Sequence, residues 1–342
     1  MTHRLTRPGR TIAAVVSVLA ATTSLAACGE AAGAEKLTIY SAQHESLVRT
    51  MLEGFTEETG IELEFRDAND SELANQIVQE GEASPADVFL TENSPSIDVV
   101  DSAGLLATLD DATLEQVGEA YRPASGTWVG FAARATTLIY NPAEIDEGEL
   151  PASMLDLADP AWEGRVAIAS GGADFQAIVS AVLALEGREA TRTWLAGLQR
   201  NAEVYASNTA IMKAVDEGEV PVGITYHYYW FRDQAQNGLI GDDARLHYVG
   251  NADPGAFVSV SGAGVLASSD QPEEAQRLVE YLTSRVAQER LAESSALEYA
   301  VGNDVASAEA LPPLDGLGAP DVDPRSLDAA SVTELMQEAG LL

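Results

Sequence analysis

The sequence predicts an α/β protein of two Rossmann-like lobes, each a small sheet with helices on its faces, joined by a strand hinge. Three observations lead there. Short β-prone runs alternate with amphipathic helical spacings along most of the chain. Roughly 310 residues follow the N-terminal segment, more than one ordinary core needs, which points to two domains. Polar residues recur just after the strands, where open α/β sheets bind ligands.

The elements can be justified in order. Residues 37–40 read as a first strand, and Leu47, Met51, Leu52 and Phe55 then keep helical spacing until Gly60. Residues 61–65 alternate strictly and predict a second strand. Ser71 is placed to cap a helix carrying Leu73, Ile77 and Val78, closed by Gly81. Residues 87–90 form a third strand and 94–103 a helix; this β-α-β-α-β order calls for a parallel sheet. Strands are expected again at 137–140, stopped by Asn141-Pro142, and at 166–168, which leads through Ser170-Gly171-Gly172 into a helix bearing Ile178, Val179 and Val182. Trp194 and Leu195 lie on a further helix, and Asn208 caps another that Gly218 ends. Residues 222–225 are a strand running into Tyr226-His227-Tyr228-Tyr229-Trp230. A strand at 261–266 and a long helix from Pro272 to about residue 292 follow.

The N-terminus reads as an address. Arg4, Arg7 and Arg10 precede an apolar run that ends in Leu25-Ala26-Ala27-Cys28, which resembles a bacterial lipoprotein signal. Residues 1–27 are then a leader, Cys28 a lipid attachment point, and residues 28–36 a short tether. A single cysteine excludes an internal disulfide and a thiolate metal cluster. With 54 acidic and 19 basic residues the formal charge is −35, and the leader removes arginines but no acids. Nucleic acid is excluded as a partner. The charge attracts cations in general without selecting one.

Four strand ends carry the good donors: His44, Glu92, Tyr228 and Tyr229, with His227 as an outsider. Zinc prefers His and Cys, and calcium and magnesium prefer carboxylates and carbonyls. Two phenols with one carboxylate and one imidazole suit a hard trivalent ion, ferric iron above others. The competing reading is plain aromatic packing at a strand end. In a regular strand Tyr228 and Tyr229 would face opposite ways. Both reach one ion only if the chain leaves the β conformation there, for instance at a helix start.

The chain resembles the periplasmic ferric-ion-binding proteins of ABC importers. The matching segments are residues 39–44 (Ile-Tyr-Ser-Ala-Gln-His), Ser84-Pro85-Ala86-Asp87-Val88-Phe89 with Glu92, Tyr228-Tyr229-Trp230, and Asp253-Pro254-Gly255-Ala256 followed by Ser261-Gly262-Ala263. The resemblance implies a type II-like periplasmic-binding-protein fold, with 37–134 plus about 259–309 in one lobe and 135–258 plus about 310–342 in the other. It implies Tyr228 and Tyr229 as phenolate ligands, completed by His44 and Glu92 from the opposite lobe. It also implies a synergistic anion (phosphate, carbonate or citrate) held by Asn93, Ser170, Gly171, Gly172 and Asn208 and steadied by Arg134. Two departures concern that anion: Tyr226 stands where relatives often carry an Asn, and the Gly171-Gly172 run replaces a more usual Thr-Ser-Gly. The expected setting is a monomer, lipid-anchored on the outer face of the cell membrane, that serves the permease and ATPase of an importer. No Gly-x-Ser-x-Gly elbow, phosphate loop or His-Glu-x-x-His occurs, so an enzyme is not expected. The rival reading keeps the fold and binds an organic cargo: a polyamine, thiamine, a phosphonate or a sugar phosphate.

Overall fold

The computed structural model describes residues 36–236 and 243–342. The leader, Cys28 and all but the last residue of the tether lie outside the described residues.

β1 (Lys36–Ser41) leads into α1 (Glu45–Met51) and α2 (Phe55–Thr59). One helix was predicted here; it breaks at Gly54, whose φ of 83° is left-handed and suits glycine. β2 (Glu62–Asp67), α3 (Asp70–Glu80), β3 (Val88–Leu90) and α4 (Ser94–Ser102) follow. Asn69, not Ser71, caps α3, because its side chain accepts the Glu72 amide at 2.9 Å while Asp70 is already helical. After α5 (Asp111–Leu114) comes β4 (Trp128–Tyr140), thirteen residues long and buried throughout. Only its last four residues were legible in the sequence. Covered on both faces, the strand shows no polar–apolar alternation.

The second part holds β5 (Val166–Ile168), α6 (Ala173–Glu186), α7 (Arg188–Asn201), β6 (Ala202–Val204), α8 (Asn208–Asp216), β7 (Val222–Tyr226), α9 (His227–Ala235) and β8 (Arg245–His247). β9 (Val258–Val265), α10 (Pro272–Thr283), α11 (Arg285–Glu293) and α12 (Ala329–Ala339) complete the chain. The single long helix predicted from Pro272 divides at Ser284, whose hydroxyl accepts the Ala287 amide and starts α11 afresh.

The strands lie in the order β2-β1-β3-β9-β4-β7-β5-β6, with β8 also on β4. β1, β2 and β3 are parallel, as are β5, β6 and β7, while β9 runs antiparallel to β3 and β4. β4 is shared. Its Trp128–Ala135 stretch pairs with β9, and its Thr136–Tyr140 stretch pairs with β7. The side chains divide at the same place. One core gathers Leu37, Phe89, Trp128, Val265 and Leu278; another gathers Leu138, Ile168, Val179, Trp194 and Ile224. These are the two lobes. The C-terminal tail serves both, with Leu311 and Leu317 in the first core and Val332, Leu335 and Met336 in the second.

One glycine matters for the site. A Cβ on Gly223 of β7 would lie 2.2 Å from Ile211 Cγ2, so only glycine lets α8 approach the sheet this closely. That approach sets where the start of α8 points.

Candidate functional site

β7 ends at Tyr226, and the backbone turns directly into α9 at His227. Tyr228 and Tyr229 therefore occupy the first helical turn. Consecutive helix residues lie about 100° apart, not on opposite faces, and the two rings lie against each other at a tilt of 31° with centroids 4.1 Å apart. The helix start that the iron reading required is present.

The first lobe faces them. Tyr228 donates its hydroxyl to Glu92 Oε1 at 3.2 Å. His44 Nε2 lies 3.1 Å from the same hydroxyl and 3.4 Å from Glu92 Oε1. His44 follows β1 and Glu92 follows β3, while Tyr228 comes from the second lobe, so the contact joins the lobes. Tyr229 donates to Asp174 Oδ2 at 2.9 Å. Asn208, in the first turn of α8, donates to the same oxygen at 2.8 Å, and Asn93 donates to Oδ1 at 3.2 Å. Asn208 is free to do so because Ser207 caps α8 in its stead. The guanidinium of Arg232 lies 5.4 Å and 5.5 Å from the centroids of Tyr228 and Tyr229.

Behind Glu92 stands Arg134 of β4, fully buried. It donates to the Glu92 carbonyl, to Ser261 Oγ at 2.7 Å and to Glu298 Oε2 at 2.6 Å. Its Nη1 is 3.8 Å from Glu92 Oε1. Gln43 donates to Ser261 Oγ and accepts the His44 amide. Asp70 accepts the amides of both Glu92 and Asn93 at 2.9 and 3.0 Å.

Burial sets the electrostatics. It pushes Tyr228 and Tyr229 well above the usual phenol range, reinforced by Asp174 and Glu92. It lifts Glu92 to about 7 against the pull of Arg134, and Asp174 to about 7 with help from Glu92. It lowers His44, which keeps the imidazole neutral with a lone pair to give. Burial also opposes the charge of Arg134, but Glu298 and Glu92 outweigh it and its pKa rises. Among the described residues no three His, Cys, Asp or Glu side chains are grouped to hold a metal.

The sequence-predicted residues fall into three groups. His44, Glu92 and Tyr228 meet directly, and Tyr229 lies against the Tyr228 ring with its hydroxyl on Asp174. Asn93 and Asn208 adjoin them and donate to Asp174, while Arg134 donates to Glu92, Ser261 and Glu298. Ser170, Gly171 and Gly172 form the turn between β5 and α6, where the Gly172 amide is already donated to the Ala169 carbonyl at 3.0 Å. His227 stays out of the donor set: it is fully buried, its Nδ1 accepts the Ala135 amide, and burial lowers it to about 3. Sequence reasoning missed Asp174, Asp70, Gln43, Ser261 and Glu298. Asp174 and Asp70 could have been found, since each opens a helix just after a strand.

Known proteins resemble the chain in sequence and in fold. Residues 83–323 match the family model for bacterial extracellular solute-binding proteins. The Fe(3+)-binding periplasmic protein of Serratia marcescens is 51% identical over 328 residues, covering 96% of this chain and 97% of that one. Iron-bound HitA from Pseudomonas aeruginosa superposes with a TM-score of 0.84 at 39% identity, over 90% of this chain and 99% of its own. The Trichodesmium protein FutA, in complex with iron and citrate, gives 0.75 at 25% identity, over 90% and 100%. These proteins share the two-lobed fold described above. The chain belongs to the bacterial extracellular solute-binding protein family.

Proposed function

We propose that the protein is the receptor of an ABC importer for ferric iron, and that Tyr228, Tyr229, Glu92 and His44 hold the ion between the lobes. One observation carries this reading: the Tyr228 phenol of one lobe meets a carboxylate and a neutral imidazole of the other within 3.4 Å, with the Tyr229 ring against it, 4.1 Å between centroids. The Serratia and Pseudomonas relatives, named for ferric or bound iron, support the same cargo. The chemistry agrees with it. Phenols held well above their usual range give up their protons to solvent only when a strongly acidic cation replaces them. A divalent ion does so poorly, which favours the trivalent one. Closing the lobes about β4 brings the half-sites together and excludes water, strengthening each metal–oxygen contact. Opening at the permease, with its ATPase, releases the ion. An anion entering with the iron has the turn at Ser170, Gly171 and Gly172, ahead of α6, as its polar approach. The protein binds and delivers; it is not an enzyme. Nothing in the site favours an organic cation, because the aromatic pair is closed over by Glu92, His44 and Asp174.

The first 27 residues act as a leader, and Cys28 carries lipid that keeps the receptor, a monomer, on the outer face of the membrane; the Leu25-Ala26-Ala27-Cys28 sequence supports this. Replacing Cys28 by Ser should move the protein from the membrane fraction to the medium. The cargo is tested by visible spectroscopy. Adding ferric salt should produce a phenolate-to-iron charge-transfer band. Tyr228→Phe and Tyr229→Phe should each weaken iron binding by roughly 10²–10³-fold, the cost of one lost charged contact, and diminish the band. A colourless wild-type protein whose melting point shifts with a polyamine would replace iron by an organic cargo.

A further inference from the structure

On the edge away from β9, β4 changes partners at one point, and a side chain closes the gap there. Ala133 exchanges two backbone hydrogen bonds with Tyr299, at 3.0 and 2.8 Å, and Tyr299 belongs to the first core. From Thr136 onward β4 pairs with β7 of the second lobe. Ala135 lies between, and its amide donates to His227 Nδ1 at 3.1 Å. The imidazole does there what a strand carbonyl does elsewhere. His227 is also the first residue of α9, immediately before Tyr228 and Tyr229. Its ring lies 4.7 Å from that of Tyr299 and 6.1 Å from that of Phe231, one helical turn on, and both pack with the first core. The helix that carries the tyrosines is therefore fastened at its first residue to the other lobe. The fastening point is itself constrained. Leu297 holds a φ of 55°, in the left-handed region that a side chain disfavours, and the next two residues are pinned to β4, Glu298 on Arg134 and Tyr299 on Ala133. An apolar ring would fill the same space but leave a buried amide unpaired, so packing alone does not call for histidine.

We propose that His227 is a positioning residue, the pivot of the hinge: opening turns α9 about this ring, and the bond to Ala135 returns Tyr228 and Tyr229 to one place at each closure. The role of the returned phenols rests on the iron reading above. His227 gives no lone pair to the ion, because Nδ1 is committed to Ala135 and Nε2 then carries the ring's proton. It acts through its neighbours. Only one peptide unit separates the fixed ring from Tyr228, which leaves the chain little freedom between pivot and phenol. A displacement of about 1 Å is enough to spoil a constellation of this kind.

Three variants separate the bond from the ring. His227→Phe keeps the ring and loses the acceptor, His227→Asn offers a carbonyl oxygen near the Nδ1 position, and His227→Gln carries that oxygen one bond further out. The probe is ferric salt, with EDTA taking up the iron that is released. His227→Phe should release iron about tenfold or more faster than the wild type and shift its charge-transfer band. His227→Asn should stay within about threefold of the wild type, its acceptor restored. A His227→Phe protein with the wild-type rate and band would overturn the proposal, and so would His227→Asn releasing iron as fast as His227→Phe. If His227→Phe does not fold, His227→Gln takes its place under the same criteria. Small-angle scattering of the iron-free proteins reads the pivot without the metal: the variant lacking the acceptor should have a larger radius of gyration than the wild type, and His227→Asn should not. Equal radii would overturn the pivot. A wild type that never develops a band would instead remove the iron reading, and scattering alone would then decide whether His227 governs the hinge.

Discussion

On the first lobe, Glu92 and His44 are fixed through their backbones, whereas on the second lobe Tyr228 and Tyr229 are fixed by the register of a helix. Asp70 holds the Glu92 and Asn93 amides, Arg134 and Ser261 hold the Glu92 carbonyl, and Gln43 ties the His44 amide to Ser261. The second lobe's half of the site is built differently. Its donors start α6, α8 and α9, and their polar atoms mostly meet other site residues. The first lobe is thus a preorganised receptacle. On the proposed reading, the second presents side chains that would travel with whole helices if β4 flexed, so that a hinge motion would assemble or dismantle the ion's surroundings without rebuilding either half.

The largest expected effect tests the stiffness of the first half. Arg134→Met leaves Glu298 buried without its partner and should lower stability by about 3–5 kcal/mol in urea denaturation. Adding Glu298→Leu should recover most of that loss. A single variant as stable as the wild type would mean that this half is not held by its buried ion pair.

How much of this contrast the sequence discloses follows from the same physics. Tyr228, Tyr229, Glu92 and His44 were legible because each follows a strand and carries an uncommon donor. The scaffold behind them was not. Ser261 meets Gln43 and Glu92 across more than a hundred residues, and Arg134 meets Glu298 likewise, so no local spacing records those contacts. The fold shows the same limit. β2 and β5 were readable from alternation or an apolar run. The first nine residues of β4 were hidden because burial on both faces erases alternation, and the break at Ser284 was hidden because Ser caps only where the chain turns. Asp174 was overlooked because an acid in a helix's first turn is usually a solvated cap.

A smaller effect should separate scaffold from ligand. Ser261→Ala removes the hub between Gln43, Arg134 and Glu92 without touching the ion, and should weaken iron binding roughly 10- to 100-fold, as for supports behind metal ligands. Gly223→Ala is its counterpart on the second lobe. By pushing α8 off the sheet it should cost about 1–3 kcal/mol of stability and disturb Asn208 more than Glu92. Comparing the two by iron titration and calorimetry would show which half tolerates displacement.

The smallest effect concerns pH. In the iron-free protein Glu92 and Asp174 are raised to about 7 and Asp70 to about 6, so the folded state keeps protons that the unfolded chain has lost. Stability should therefore fall as pH rises from about 4 to about 7 and level off above. Glu92→Gln should flatten that slope by on the order of 1 kcal/mol. With iron bound the dependence should reverse, because ligation requires the deprotonated groups. Melting temperatures across this range, with and without iron, check both signs.

The most direct measurement is diffraction from crystals of the iron-loaded protein on either side of the iron absorption edge. The account predicts one anomalous peak within bonding distance of both the Tyr228 and Tyr229 hydroxyl oxygens, with Glu92 on the facing lobe. A peak bound to neither phenol, or to one with the other still donating to a carboxylate, would contradict it.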